Sequence, residues 1–283
     1  MNQSAGTRAA IAAMGDQLGP EVLQRCTALF NDEQTSLAAA VPPALVDAAY
    51  GSDPRQRLDL YRPSGESGPL PVLLFVHGGG FRMGDKGSAT SWNNANVGRM
   101  AARAGFLGAV MTYRLAPAFQ WPSGGEDVGA AIEWLRANAA ANGGDPERIV
   151  VAGTSAGAVH IGAWLQQHPG ARDVRGAVLL SGLYGVVPLE ERDLFYFGEA
   201  GGLPLEAVTE TTLPLLLASA EFDPPRFQAE FVGLLARRLE RHGRLPRAYV
   251  ASGHNHYSMA MHLGSSDDRL AQEIIAFARE VCA

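Results

Sequence analysis

Short runs of apolar residues recur along the chain, separated by Gly, Pro and acidic positions and by longer stretches whose apolar residues fall three and four apart. "RLDLYRP" from Arg57 alternates in polarity and reads as an early, half-exposed strand. "LPVLLFVHGGG" from Leu70, "FLGAVMTYRLAP" from Phe106, "RIVVAGTS" from Arg148, "RGAVLLSGLYG" from Arg175, "LPLLLASAEFD" from Leu213 and "PRAYVASGHNH" from Pro246 are continuous apolar runs bounded by Gly and Pro. Such runs predict strands covered on both faces, the habit of a parallel sheet. Between them, "GEDVGAAIEWLRANAAANGG" from Gly125 has acids at its start and glycines past its end, as helix termini favour. "PRFQAEFVGLLARRLERHG" from Pro225 and "DDRLAQEIIAFAREVCA" from Asp267 carry the helical period, and residues 1–41 are amphipathic in part. The prediction is one α/β domain over residues 1–283: a mainly parallel central sheet with helices on both faces and a small, partly N-terminal helical cap contributed by residues 1–41.

Composition narrows the function classes. With 283 residues, 47% hydrophobic and 18% charged, the chain can bury a sizeable core. A net charge of -6 supplies no basic field, which argues against nucleic acid and anionic membrane as partners. The two cysteines, Cys26 and Cys282, lie near opposite ends, so no disulfide framework is expected and free thiols fit a reducing compartment. No stretch has the length of a signal-peptide core or a membrane span, so a cytoplasmic location is expected.

In open α/β sheets ligands sit at the carboxyl ends of the strands, and chemistry follows four of these runs. The first is "HGGG", His77 to Gly80. Three consecutive glycines are conformationally costly, and they make sense where main-chain N–H groups must approach a ligand closely. The second is "GTSAG", where Ser155 stands between Gly153 and Gly157 at what reads as a sharp strand-to-helix turn. The pentapeptide alone arises by chance in about one such chain in five, whereas HGGG does so in about one in a hundred. Together they suggest a nucleophile, Ser155, facing an oxyanion hole made by the N–H groups of Gly79, Gly80 and Ala156.

A serine needs a base and the base needs an orienting carboxylate. "GHNHYS" offers His254 and His256, with His262 beyond them; His160 is too close to Ser155 along the same helix and reads as a packing or hydrogen-bonding residue. Asp223 directly follows a strong strand and precedes Pro224 and Pro225, which makes it the candidate carboxylate, with Glu221 as runner-up. Arg114 is expected to pair internally with Glu126 or Asp127, Asp85 and Lys86 to brace the glycine loop, and His77 to act as a strut for it. Of the aromatics, Phe81 and Tyr184 sit beside predicted strand ends and are the candidates for substrate contact.

The order Ser, Asp, His with an HGGG loop matches the template of α/β-hydrolases. From about Leu58 onward, "LDLYRP", "HGGGF" with "GDK", "YRLAP", "GEDVGAAIEWL", "GTSAG" and "GHNHYS" resemble the hormone-sensitive-lipase-like group of α/β-hydrolase esterases, with small carboxylesterases and kynurenine-formamidase-like relatives. The resemblance implies carboxylic-ester hydrolysis, no metal or organic cofactor, and His256 rather than His254 as the base, so that His254→Ala is expected to be mild; the segment from Gly182 to Thr212 is short for a large lid, which with a small cap favours small soluble esters of short to medium acyl length. The resemblance also leaves a homodimer open. Thr154 stands where many lipase-like members have Asp, which leaves arylformamidase or amidase chemistry as an alternative, with a non-catalytic receptor on the same scaffold as a third.

Overall fold

The computed structural model describes residues 3–65, 68–88, 90–185, 189–198 and 202–283, and each of the seven runs read as a strand holds one. Two helices, α1 (Ala5–Met14) and α2 (Pro20–Ala40), lead into the antiparallel pair β1 (Leu45–Ala49) and β2 (Arg57–Tyr61). Strand β3 (Leu70–Val76) is followed by α3 (Ala95–Arg103), β4 (Leu107–Met111), α4 (Ser123–Asn138), β5 (Gly144–Thr154), α5 (Ala156–Gln167) and β6 (Gly176–Leu180). Short helices α6 (Glu191–Phe197) and α7 (Leu205–Glu210) precede β7 (Leu215–Phe222), α8 (Pro225–His242), β8 (Arg247–Asn255), α9 (Ser258–Met261) and α10 (Arg269–Cys282).

The strands form one sheet in the order β1-β2-β4-β3-β5-β6-β7-β8, antiparallel at β1-β2 and β2-β4 and parallel across the rest. The parallel strands are buried on both faces, which is why they read as unbroken apolar runs. Leu74, Met111 and Val151 face Ile132 and Leu135 of α4 and Ile161 and Trp164 of α5. On the opposite face Phe75, Val110 and Val178 meet Met100 of α3 and Ile274 and Phe277 of α10. A separate cluster joins Ile11, Met14, Cys26 and Phe30 of the N-terminal helices to Trp92 and Met261, so α1 and α2 lie over the carboxyl end of the sheet. Cys26 and Cys282 are both buried and unpaired.

Two register pairs bring the chemistry-bearing loops together. Val76 of β3 is opposite Gly153 of β5, so the glycine loop and the Ser155 turn leave the sheet side by side. Phe222 of β7 is opposite Asn255 of β8, so the next residues, Asp223 and His256, also emerge together.

Candidate active site

Strand β5 ends at Thr154 and α5 begins at Ala156, leaving Ser155 alone to make the turn, with φ 51° and ψ −121°. For a residue with a Cβ this is strained backbone, of the kind that clusters at functional sites. The surroundings hold it there. Ser155 donates its N–H to the Leu180 carbonyl at 2.8 Å and accepts from Val159 N–H at 3.2 Å. Gly157 lets α5 approach the sheet, since a Cβ at that position would lie 2.1 Å from the Val76 carbonyl oxygen.

The glycine loop runs alongside. Gly79 has φ 137°, and a Cβ there would stand 1.9 Å from the Met83 carbonyl oxygen; the Gly79 carbonyl accepts from Arg82 and Met83 N–H at 3.2 and 3.1 Å. The N–H groups of Gly79, Gly80 and Ala156 donate to no other group among the described residues. Ala156 is the first residue of its helix, where N–H groups lack intrahelical partners. His77 is fully buried, donates Nδ1–H to the Gly78 carbonyl at 2.6 Å and stacks on Tyr113 at 4.3 Å, the strut expected of it. Burial lowers its pKa to about 4, so it stays neutral.

His256 Nδ1 lies 2.8 Å from Asp223 Oδ1. Of the candidate histidines, His256 is the one that contacts Asp223 among the described residues. His254 instead pairs Nε2 with Asp267 Oδ2 and Nδ1 with Ser258 Oγ, each at 3.1 Å, and stacks on His262. Glu221 turns away from the imidazoles and accepts from Ser252 Oγ and Gly253 N–H at 2.8 and 2.7 Å. Asp223 is completely buried; its Oδ2 accepts from Ser181 Oγ (2.6 Å), Ser219 Oγ (2.9 Å) and Ala220 N–H (2.7 Å). Burial by itself would raise this carboxyl, but the hydrogen bond and charge of His256 with those from Ser181 and Ala220 outweigh it and hold the group below its ordinary range. With Nδ1 committed to Asp223, Nε2 is the imidazole nitrogen left to accept a proton.

Ser155, His256, Gly79, Gly80, Ala156 and Phe81 line one cavity of about 430 Å³. No hydrogen bond joins Ser155 Oγ to His256 among the described residues, and catalytic hydrogen bonds of this kind often tighten only in the complex with substrate. Phe227 packs on the His256 ring at 4.4 Å. Phe81 stacks on Tyr196 at 4.4 Å and, with Val159, Phe197 and Leu203, forms an apolar wall.

The same fold is found in solved structures. The bacterial heroin esterase matches 98% of the chain over 98% of its own length with a TM-score of 0.70 and 25% identity, and an esterase from Pyrobaculum calidifontis matches 99% of both chains at 0.72 and 24%. The chain has the α/β-hydrolase fold. Residues 58–168 match the BD-FAE family model. The probable isoprenylcysteine alpha-carbonyl methylesterase ICME of Oryza sativa subsp. japonica is 31% identical over 220 residues, 74% of this chain and 49% of that protein. Carboxylesterase NlhH of Mycobacterium tuberculosis is 35% identical over 182 residues, 58% of this chain and 55% of that one. The chain thus spans about half the length of these curated relatives.

Within this fold the remaining candidates divide between ion pairing, packing and cavity lining. Arg114 pairs with both Asp127 (2.8 Å) and Glu126 (2.9 Å), as anticipated. His160 is a packing residue, edge-on to Phe81 and Tyr113, and burial lowers its pKa to about 3. Tyr184 is a correction: it packs in the core with the α4–α5 side of the sheet and is not among the residues lining the cavity. Its N–H is held by Glu230 at 2.7 Å, which turns the ring inward beneath Gly182. Lys86 is another, because it bridges Asp47 and Asp59 (2.8 and 2.9 Å) on the β1–β2 side rather than bracing the glycine loop; Arg55, donating to the Gly84 carbonyl at 2.8 Å, does that. Leu18, Gly19 and Leu23 line the cavity, and Gly19 N–H donates to Tyr257 Oη at 3.0 Å, so the N-terminal segment roofs the site. Sequence reasoning missed the Asp223 partners Ser181 and Ser219. Ser181 stands one residue past β6, at the sheet edge where chemistry gathers, and that position is its only signal. No helix among the described residues is long and apolar enough to cross a membrane.

Proposed function

We propose that this chain is a serine carboxylesterase acting on small esters with short to medium acyl chains. The observation that carries the reading is the 2.8 Å contact between His256 Nδ1 and Asp223 Oδ1 on the wall of the cavity that holds Ser155 at its strained turn. Ser155 Oγ attacks the ester carbonyl carbon while His256 Nε2 takes the hydroxyl proton, and Asp223 steadies the imidazolium that forms. The carbonyl oxygen becomes an oxyanion received by the N–H groups of Gly79, Gly80 and Ala156. Collapse of the tetrahedral adduct breaks the ester C–O bond, and His256 returns its proton to the leaving alcohol. Water, deprotonated by the same imidazole, then attacks the acyl-serine; the acyl C–Oγ bond breaks, His256 returns the proton to Ser155 Oγ, and the carboxylic acid leaves.

The esterase and methylesterase names of the relatives support this reaction class, and a volume near 430 Å³ with an apolar wall at Phe81, Val159 and Phe197 supports compact substrates. Two buried free thiols support a reducing, cytoplasmic setting. A fluorophosphonate probe tests the assignment: stoichiometric labelling mapped to Ser155 by mass spectrometry is expected, and unlabelled protein, or a label elsewhere, overturns it.

A further inference from the structure

A second cavity, of about 540 Å³, opens on the β1–β2 side of the sheet. The loop after the glycine turn separates it from the catalytic cavity: Met83 and Gly84 line the first, Asp85 to Ser88 the second. Its charged walls do not balance. Cations Arg55, Arg57, Lys86 and Arg99 face carboxylates Asp47, Asp59 and Asp85, a surplus of one positive charge in a chain whose net charge is -6.

Two of the four cations, Arg57 and Arg99, have no carboxylate at ion-pair distance among the described residues, and they differ in what else holds them. Lys86 Nζ is shared by Asp47 and Asp59, and Asp59 Oδ1 also accepts from Asp47 N–H at 2.8 Å. Asp85 lies 3.9 Å from Arg55, whose other nitrogens donate to the Tyr113 and Gly84 carbonyls. Arg57 Nη1 donates to the carbonyls of Asp53 and Gln56 at 3.0 and 2.9 Å. Arg99 is different. It is 5% exposed, its guanidinium lies over the Tyr61 ring at 5.0 Å, and only Nε has a protein acceptor, the Val41 carbonyl at 3.1 Å. Nη1 is buried without a hydrogen-bond partner, and no carboxylate comes within ion-pair distance of Arg99 among the described residues. Burial presses against its charged form, and the influence of Tyr61 and the more distant Asp59 offsets this only in part.

A buried guanidinium retains its charge, so an unpaired one is costly unless an anion joins it. We propose that this cavity is a binding site for a small monocarboxylate, with its oxygens on the free side of the Arg99 guanidinium and its alkyl part against Pro43, Val46 and Pro54. One surplus charge calls for a monoanion, and the flat guanidinium edge suits a carboxylate. The apolar wall distinguishes a carboxylate with a short tail from inorganic phosphate or chloride. The site stands apart from the catalytic residues, so the esterase assignment can fail without affecting it.

The test is calorimetric titration of the intact chain with butyrate, inorganic phosphate and chloride at matched ionic strength, repeated on Arg99→Gln and Arg99→Lys. The proposal expects saturable butyrate binding to the wild type, weaker phosphate and chloride binding, and a loss of butyrate affinity of about tenfold or more in Arg99→Gln. Arg99→Lys keeps the charge without the fork and is expected to fall between. No butyrate binding, equal binding of all three anions, or binding unchanged in Arg99→Gln overturns it. Should both variants fail to fold, a crystal structure of the wild type grown in butyrate decides: density beside Arg99 supports the site, and density only in the catalytic cavity rejects it.

Discussion

Ser181 Oγ donates to Asp223 Oδ2 at 2.6 Å, so the carboxylate that orients His256 is itself held by a residue of the neighbouring strand end. Hydrogen bonds to a charged group contribute about 1.5–3 kcal/mol. Ser181→Ala is therefore expected to lower unfolding stability by about that amount at neutral pH in a urea titration. Because the folded-state pKa of Asp223 lies below its unfolded value, the contribution is present above the unfolded pKa and fades as pH falls through the folded one; the deficit of the variant should shrink on acidification.

Removing the triad members gives graded losses. Ser155→Ala is expected to lower kcat on p-nitrophenyl butyrate by about 10⁶ with the circular dichroism spectrum unchanged. Asp223→Asn, which upsets the imidazole tautomer, should cost about 10⁴ in kcat. A variant at either position that keeps most of its turnover removes that residue from the mechanism.

His254→Ala is not expected to be mild. The side chain is buried and joins Asp267 to Ser258, and Ser258 Oγ accepts from Asn255 N–H at 2.9 Å, next to His256. Deleting it removes one hydrogen bond from each of two buried partners, at about 0.5–1.5 kcal/mol each because Asp267 keeps Arg269 and Ser258 keeps Asn255, and loosens the 255–258 turn. Steady-state kinetics should show kcat falling with KM little changed, and the melting temperature should drop.

Gly79→Ala places a methyl group 1.9 Å from the Met83 carbonyl at a φ that favours glycine. The loop must shift, misaligning a donor to the oxyanion, and kcat is expected to fall by about 10² or more while bound alcohol or acid products change little in affinity. Comparison of kcat with product-inhibition constants checks this.

Acid stability should follow three buried histidines. Burial lowers His77 to about 4, and His160 and His262 to about 3. The unfolded chain takes these protons near the ordinary value of about 6.5, so below that pH it binds more protons than the folded state. Stability is then full above about pH 6.5 and falls as pH drops toward 3–4, with each histidine contributing up to about 1.4 kcal/mol per pH unit within the window. Urea midpoints between pH 7.5 and 5 measure it; a flat profile would refute the burial of these rings.

The parallel strands were legible because burial on both faces makes them unbroken apolar runs, and the reacting groups because each directly follows one of those runs. Strand β1 was not, since its residues are half-buried or exposed and carry no alternation. The choice between His254 and His256 could not come from spacing: β8 has a register shift near its end and Gly253 has φ 82°, so strand alternation no longer fixes where either ring points. Tyr184 misled for a related reason. Nearness to a strand end locates a backbone, but here the Glu230 carboxylate holds that backbone with the ring turned into the core.

The main-chain bond from Ser155 to Leu180 ties the proposed nucleophile to β6 as firmly as a rung of the sheet. Loading and unloading an acyl group then asks for torsional motion in one short side chain only. The scaffold ends each turnover where it began, and the chemical cycle needs no refolding of the elbow to start again.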